Sequence, residues 1–273
     1  MGKKDDQKSY DQAVASRKKQ GVLLKLFSFF MLFLVWHVAH ISAPHLNVPP
    51  ELVPGPYETV IALVDNMGGG ELYFHLKATM IRVFFSFVLV MVVGIGLGTM
   101  MGLFWVAEVS LDLWIMVALT VPGLCYVIMC FMWFGLSEFS AILAIAVTAF
   151  PTTTINIWEG VKDIDNKLID MARVFRASRG MRLRRVIFPQ ILPYIMASAR
   201  FGLGIIWKVT VLVELLGRSS GVGFMLHYWW ELYNMTQVLA WTMFFTIIML
   251  FLELVVLKRV EARVFSWRPA VRF

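Results

Sequence analysis

Five arginines lie within the twelve residues from Arg173 to Arg184, and the apolar runs on either side are each long enough to cross a bilayer. At the centre of a spanning helix each arginine would cost roughly 2.5–3.5 kcal/mol. The stretch 170–193, DMARVFRASRGMRLRRVIFPQILP, is therefore a water-facing loop between two membrane spans. Of the 273 residues 59% are apolar, more than a soluble chain of this size carries, and the expected class is an all-α polytopic membrane protein.

Six apolar runs are expected to span, near residues 21–41, 82–103, 113–134, 139–158, 191–216 and 237–257. Residues 1–20 read as a polar, basic tail without apolar periodicity, residues 21–258 as the membrane domain and residues 259–273 as a second basic tail. The first run, about 20 residues, is long for a secretory signal and adequate for an uncleaved anchor. Between the first two runs, Pro49, Pro50, Pro54 and Pro56 impose extended or turning backbone, with a short interfacial helix over 57–65. His37 and His40 read as interfacial residues beside Trp36. Residues 71–81 read as a lead-in to the second span, and Glu108 and Asp112 as part of a short loop before the third. Pro122 and Pro151 bend the third and fourth spans.

The net charge of +7 raises the possibility of a nucleic-acid partner, but 19 of the 25 Lys and Arg fall in three groups outside the apolar runs. These are the N-terminal 20 residues, residues 162–185 and residues 258–272. Six spans put all three on one side of the membrane, which the positive-inside rule makes cytoplasmic. Cys125 and Cys130 share one apolar run and specify neither a disulfide nor a zinc site. Gly94-Ile95-Gly96-Leu97-Gly98 is not a phosphate loop, since no strand precedes it and no Lys-Ser/Thr follows. Gly94, Gly98 and Gly102 at four-residue spacing are a helix-packing face instead.

Within the basic loop, Ile164, Leu168, Ala172 and Phe175 fall on one helical face, so a first amphipathic helix is expected, opened by Asp163 and Asp165. Ser178-Arg179-Gly180 is a turn. A second short helix carries Leu183, Val186 and Ile187 and ends at Phe188-Pro189. In the fifth span Arg200, Lys208 and Glu214 are intramembrane charges, which usually face water or a bundle interior. Lys208 and Glu214, six residues apart, do not share a face.

The loop resembles the EAA loop of membrane subunits of bacterial ABC importers. Asp170 stands in the Glu position of that pattern, Met171 and Ala172 in the Ala positions, Arg176 in the Gly position, and Leu192-Pro193 close it. The resemblance extends over residues 45–265. The run from Thr79 to Gly102 is similar to the family's second helix, Trp133-Phe134-Gly135-Leu136 to its WFGLG turn, and Val213-Glu214-Leu215-Leu216 with Gly221-Val222-Gly223 to its AELL…GLG stretch. The nitrate, sulfonate and taurine branch is the nearest in pattern.

The resemblance implies a type I importer permease with a cytoplasmic coupling hairpin, set in a bacterial inner membrane with both termini cytoplasmic. It implies a periplasmic binding protein, a second permease subunit forming a homodimer, and a cytosolic ATPase dimer. The loop at 162–187 would seat in that ATPase through Asp170, Met171, Ala172, Arg173, Phe175, Arg176, Ala177 and Ser178, with Pro189 and Pro193 fixing its angle to the next span. The chain has no GxxxxGK[ST] motif and is expected to be a non-enzymatic subunit binding no cofactor or metal, ATP and Mg belonging to the partner. Glu214, Lys208, Pro122 and Pro151 are the expected pathway residues, for a small organic anion such as a sulfonate, taurine, nitrate or an aromatic acid. The alternative classes are an ion-coupled secondary carrier, which favours internal repeats not seen here, and a non-transporting membrane scaffold.

Overall fold

The structure is a computed structural model and describes residues 2–264. Arg268 and Arg272 of the basic C-terminal tail lie outside the described residues. Contacts divide the chain into two units, residues up to 66 with 229–240, and residues 67–228 with 241 onward. No strand occurs among the described residues.

The first unit opens with α1 (Gly2–Ser42), a 41-residue helix. The polar stretch expected as an aperiodic tail is thus helical from Gly2. Nothing in residues 2–20 breaks a helix, and propagation from an adjoining apolar helix adds one hydrogen bond per residue fixed. Two short 3-10 turns, Pro44–Leu46 and Pro50–Leu52, precede α2 (Pro56–Gly68). Trp36 Nε1 donates to the Pro54 carbonyl (3.0 Å), and His40 Nδ1 is 2.7 Å from the Val53 carbonyl. These bonds tie the proline-rich segment back to α1, and they account for His40 without a metal. Asn66 Nδ2 donates to Gln237 Oε1 at 2.7 Å, tying α2 to residues 229–240.

The second unit is built on α3 (Gly70–Leu103), α4 (Trp105–Thr120), α5 (Gly123–Phe134), α6 (Glu138–Lys162) and α9 (Phe188–Gly217). The expected lead-in at 71–81 belongs to α3, an unbroken helix about 51 Å long at 1.5 Å per residue. Glu108 and Asp112 do not form a loop, because α4 starts directly after Phe104. The third crossing is two helices, with α4 and α5 meeting at 95° across Val121-Pro122. Proline at 122 has no N–H to continue the ladder, so a full break forms where one bent span was expected.

Gly94, Gly98 and Gly102 of α3 press on α6. A Cβ at Gly94 would lie 2.5 Å from Thr153 Cγ2, at Gly98 2.6 Å from the Thr154 carbonyl, and at Gly102 2.5 Å from Val161 Cγ1. Only hydrogen at those positions permits the helices this approach. Pro151 is buried inside α6. The carbonyl it frees is that of Val147. Thr153 and Thr154 bond elsewhere, Thr153 Oγ1 donating to the Ala149 carbonyl at 3.5 Å and Thr154 Oγ1 to the Phe150 carbonyl at 2.9 Å. Val83, Val90, Ala141, Ala144, Ile145, Ala149, Ile206, Trp207 and Val213 form the core of this unit.

After α9 come α10 (Val222–Glu231), α11 (Met235–Phe251), a π-helical turn Leu252–Leu257 and α12 (Lys258–Val264). The C-terminal tail expected from residue 259 therefore begins as helix. Among the described residues four helices are long and apolar enough to cross a membrane, or five if the bent α4–α5 pair is one span. Six were expected, and the 30-residue α9, the expected fifth span, is not among these. At about 45 Å it has the length, and Arg200, Lys208 and Glu214 dilute its hydropathy.

Candidate functional site: the basic loop and the charges among the spans

The loop is rooted in α6 and α9. Asp163 caps the end of α6 and accepts a hydrogen bond from the Tyr194 hydroxyl. Where Gly160 has no side chain, the Tyr194 ring fits; a Cβ would sit 2.3 Å from its Cγ. Ile164 and Ile191 are buried with Ile157 and Val161, and Ile169, Ile187 and Ile195 pack on them. Asp165 caps α7 (Asn166–Val174), its Oδ1 accepting from the Lys167 N–H at 2.8 Å. Gln190 Oε1 accepts from the Asp165 N–H at 2.9 Å, closing the loop on itself.

Helix α7 ends in a Schellman motif. The Arg176 N–H donates to the Arg173 carbonyl (2.8 Å) and the Ala177 N–H to the Ala172 carbonyl (2.9 Å). Arg176 takes the left-handed conformation with φ 53°. Backbone conformation is therefore the reason a glycine suits this position. Ser178 Oγ then caps α8 (Arg179–Arg182) through the Met181 N–H at 3.3 Å. A π-helical turn, Leu183–Ile187, leads straight into α9. Phe188-Pro189 does not end the second arm as expected. The helical ladder continues through the π-turn, so Pro189 falls at the start of α9, lacking an N–H to add to it, and Pro193 lies inside α9.

The buried face of α7 also differs from expectation. Ala172 is buried, but Leu168 is exposed and Phe175 is 78% exposed. Ile169 takes the inward place instead, because the helix is rotated by its caps. Met171, Val174 and Phe175 stand exposed together at i, i+3, i+4. Asp170 pairs with Arg173 at 3.1 Å, both exposed. Such a surface pair contributes roughly 0–1 kcal/mol.

At the opposite end of this unit, Glu214 of α9 is fully buried and Arg82 of α3 is 1% exposed. Arg82 Nη1 donates to Glu214 Oε1 (2.7 Å) and to the Ser220 carbonyl (2.6 Å). Its Nε and Nη2 hold Glu138 in a fork at 2.8 and 2.7 Å, and Nη2 also reaches Ser220 Oγ at 2.8 Å. Arg218 pairs with Glu138 from the other side. Glu214 Oε2 accepts from Thr79 Oγ1 and from the Gly223 N–H, both at 2.9 Å. The Gly221 N–H donates to His75 Nδ1 at 3.1 Å. Gly221 has φ +118°, and a Cβ there would strike the Glu214 carboxyl at 2.1 Å.

Two arginines and two glutamates thus cancel in one hydrogen-bonded cluster that clamps α3, α6 and α9 to residues 218–223, with Arg218 Nε buried in it and unbonded. Sequence reading found Glu214 but missed Arg82, Glu138, Ser220, His75 and Thr79. An isolated arginine inside Met80-Ile81-Arg82-Val83-Phe84 was the available signal, obscured by placing the span boundary on it. The expected pathway residues do not converge. Pro122 sits at the α4–α5 corner and Pro151 in the core. Lys208 is exposed on a different face of α9 from Glu214, as its spacing predicted.

A bundle of spanning helices with a capped, two-armed water-facing loop between two of them defines the membrane subunit of an ABC importer. Residues 78–265 match the family described as binding-protein-dependent transport system inner membrane component, and the chain belongs to that family. Its function is therefore that of a permease subunit, in a family whose members are not themselves catalytic.

The putative aliphatic sulfonates transport permease protein SsuC of Bacillus subtilis (strain 168) is 31% identical, over 92% of this chain and 90% of its own. The taurine transport system permease protein TauC of Escherichia coli (strain K12) is 30% identical, over 92% of each. The nitrate import permease protein NrtB of Leptolyngbya laminosa is 26% identical, over 83% and 81%. Among solved structures, an inward-facing MetNI methionine ABC transporter (CY5 SeMet soak crystal form) superposes with TM-score 0.60 at 17% identity. It covers 69% of this chain and 93% of that one, and shares the fold.

Proposed function

We propose that this permease passes a small charged solute, of the kind that its sulfonate, taurine and nitrate relatives are named for. A periplasmic binding protein delivers the solute, and two copies of the chain form the path. Both termini and the basic loop face the cytoplasm, where the loop takes the stroke of an ATPase dimer that holds ATP and Mg. The observation that carries this reading is the exposed Met171–Val174–Phe175 ridge on a loop that is itself bolted to two spans. Apolar side chains on a water-facing helix favour a protein partner over water. Because α8 and the π-turn run into α9, closure of that partner tilts α9 directly.

Co-purification with the ATPase, followed by ATP-dependent uptake in proteoliposomes, tests the reading. Retention of the ATPase and uptake on ATP support it. Uptake driven by a proton or sodium gradient without ATP would make the chain a secondary carrier.

A further inference from the structure

One face of α9 carries a charge where lipid would not tolerate it. Lys208 lies nine residues, about 14 Å, from the end of the helix, it is exposed, and it makes no hydrogen bond or ion pair among the described residues. Glu253, in the π-turn that follows α11, is likewise exposed and unpaired among the described residues. Both line one cavity of about 320 Å³, with Thr152, Phe201, Gly204 and Met249. That volume is within the roughly 300–1,000 Å³ of small-ligand pockets. A second cavity of about 440 Å³ shares Arg200, Phe201 and Leu257 with it and continues along α9 to Pro193. Arg200 is paired with Glu261 at 3.3 Å, so the lower cavity is balanced. The upper one, beside the paired Arg200, holds an unpaired cation, Lys208, and an unpaired anion, Glu253, that line a common space without a bond between them.

We propose that this upper cavity is a subsite for a small zwitterion. Lys208 takes the anionic group of the solute and Glu253 its ammonium group. A plain anion would gain Lys208 and be repelled by Glu253. A plain cation would meet the reverse. A solute bearing both charges satisfies both walls, and two intramembrane charges then find partners in water's absence. This deepens the reading given above and rests on it, because it requires α9 to border the path. Within the range of charged solutes given there, it selects amino-sulfonates and similar zwitterions over nitrate and unsubstituted sulfonates.

Gly204 offers the probe, since a Cβ there meets nothing within 4 Å. In the assembled importer, with Cys125→Ser and Cys130→Ser, Gly204→Cys is labelled with anionic sulfonatoethyl and cationic trimethylammonioethyl methanethiosulfonates. Lys208→Gln is expected to slow the anionic reagent, and Glu253→Gln the cationic one, by roughly threefold to tenfold each. 2-Aminoethanesulfonate is expected to protect the cysteine better than ethanesulfonate or ethylammonium, and either charge variant should abolish the difference. Equal protection by ethanesulfonate, or labelling rates indifferent to both variants, overturns the zwitterion site and leaves the path intact. A cysteine that no reagent reaches from either side takes this face of α9 out of the path and overturns the subsite, while ATP-dependent uptake tests the permease reading separately.

Discussion

Arg82 and Glu214 lie 132 residues apart in sequence and 2.7 Å apart in space, and neither side chain meets solvent. Removing one partner of a buried pair strands the other, at a cost of about 3–5 kcal/mol. Glu214→Ala is expected to lower the midpoint of thermal unfolding in detergent by far more than Asp170→Ala, whose pair is exposed. Equal, small shifts for the two variants would show that the cluster does not hold the helices.

Arg176 spends conformational energy at φ 53°. A left-handed non-glycine residue costs roughly 1–2 kcal/mol, while glycine adds back about 0.5–1 kcal/mol of unfolded-state entropy. Arg176→Gly should therefore tighten the loop by a few tenths to about 1 kcal/mol, and Arg176→Val should loosen it. Rates of limited proteolysis across residues 166–187 read both, and slower cleavage in the valine variant would contradict the cap.

Phe175→Ser removes the one ring of the ridge, a side chain that is 78% exposed. Membrane insertion and thermal stability should be unchanged, while co-purification of the ATPase falls at least several-fold. An undiminished yield of the complex would place the docking surface elsewhere.

The α3–α6 contact makes its own prediction. At Gly98 an added side chain meets the Thr154 carbonyl and Ile157, whereas at Gly96 nothing lies within 4 Å. Gly98→Leu should cost about 1–3 kcal/mol or prevent folding, and Gly96→Leu should be silent. Expression and monodispersity of the two variants suffice to compare them.

The helical class, the basic loop and the glycine packing face were legible because each rests on local chemistry. Arginine cannot enter lipid, proline breaks a ladder, and a four-residue repeat marks one helix face. Arg82 and Glu138 were not legible as partners of Glu214. Their pairing depends on how three helices cross, and nothing in the local sequence of any one of them encodes it. The inward face of α7 escaped for a related reason. Periodicity narrows the choice of face, but Asp165 at one end and the Arg176 turn at the other set the rotation that favours Ile169 over Phe175. The unpaired Lys208 was visible, but its counterpart Glu253 required the approach of a segment 45 residues away.

The Tyr194 ring seated on Gly160, with its hydroxyl on Asp163, stitches together the two strands of chain that enter and leave the loop. A flap would need slack at that seam, and none exists. A load placed on α7 would therefore reach the feet of α6 and α9 together, as through a yoke.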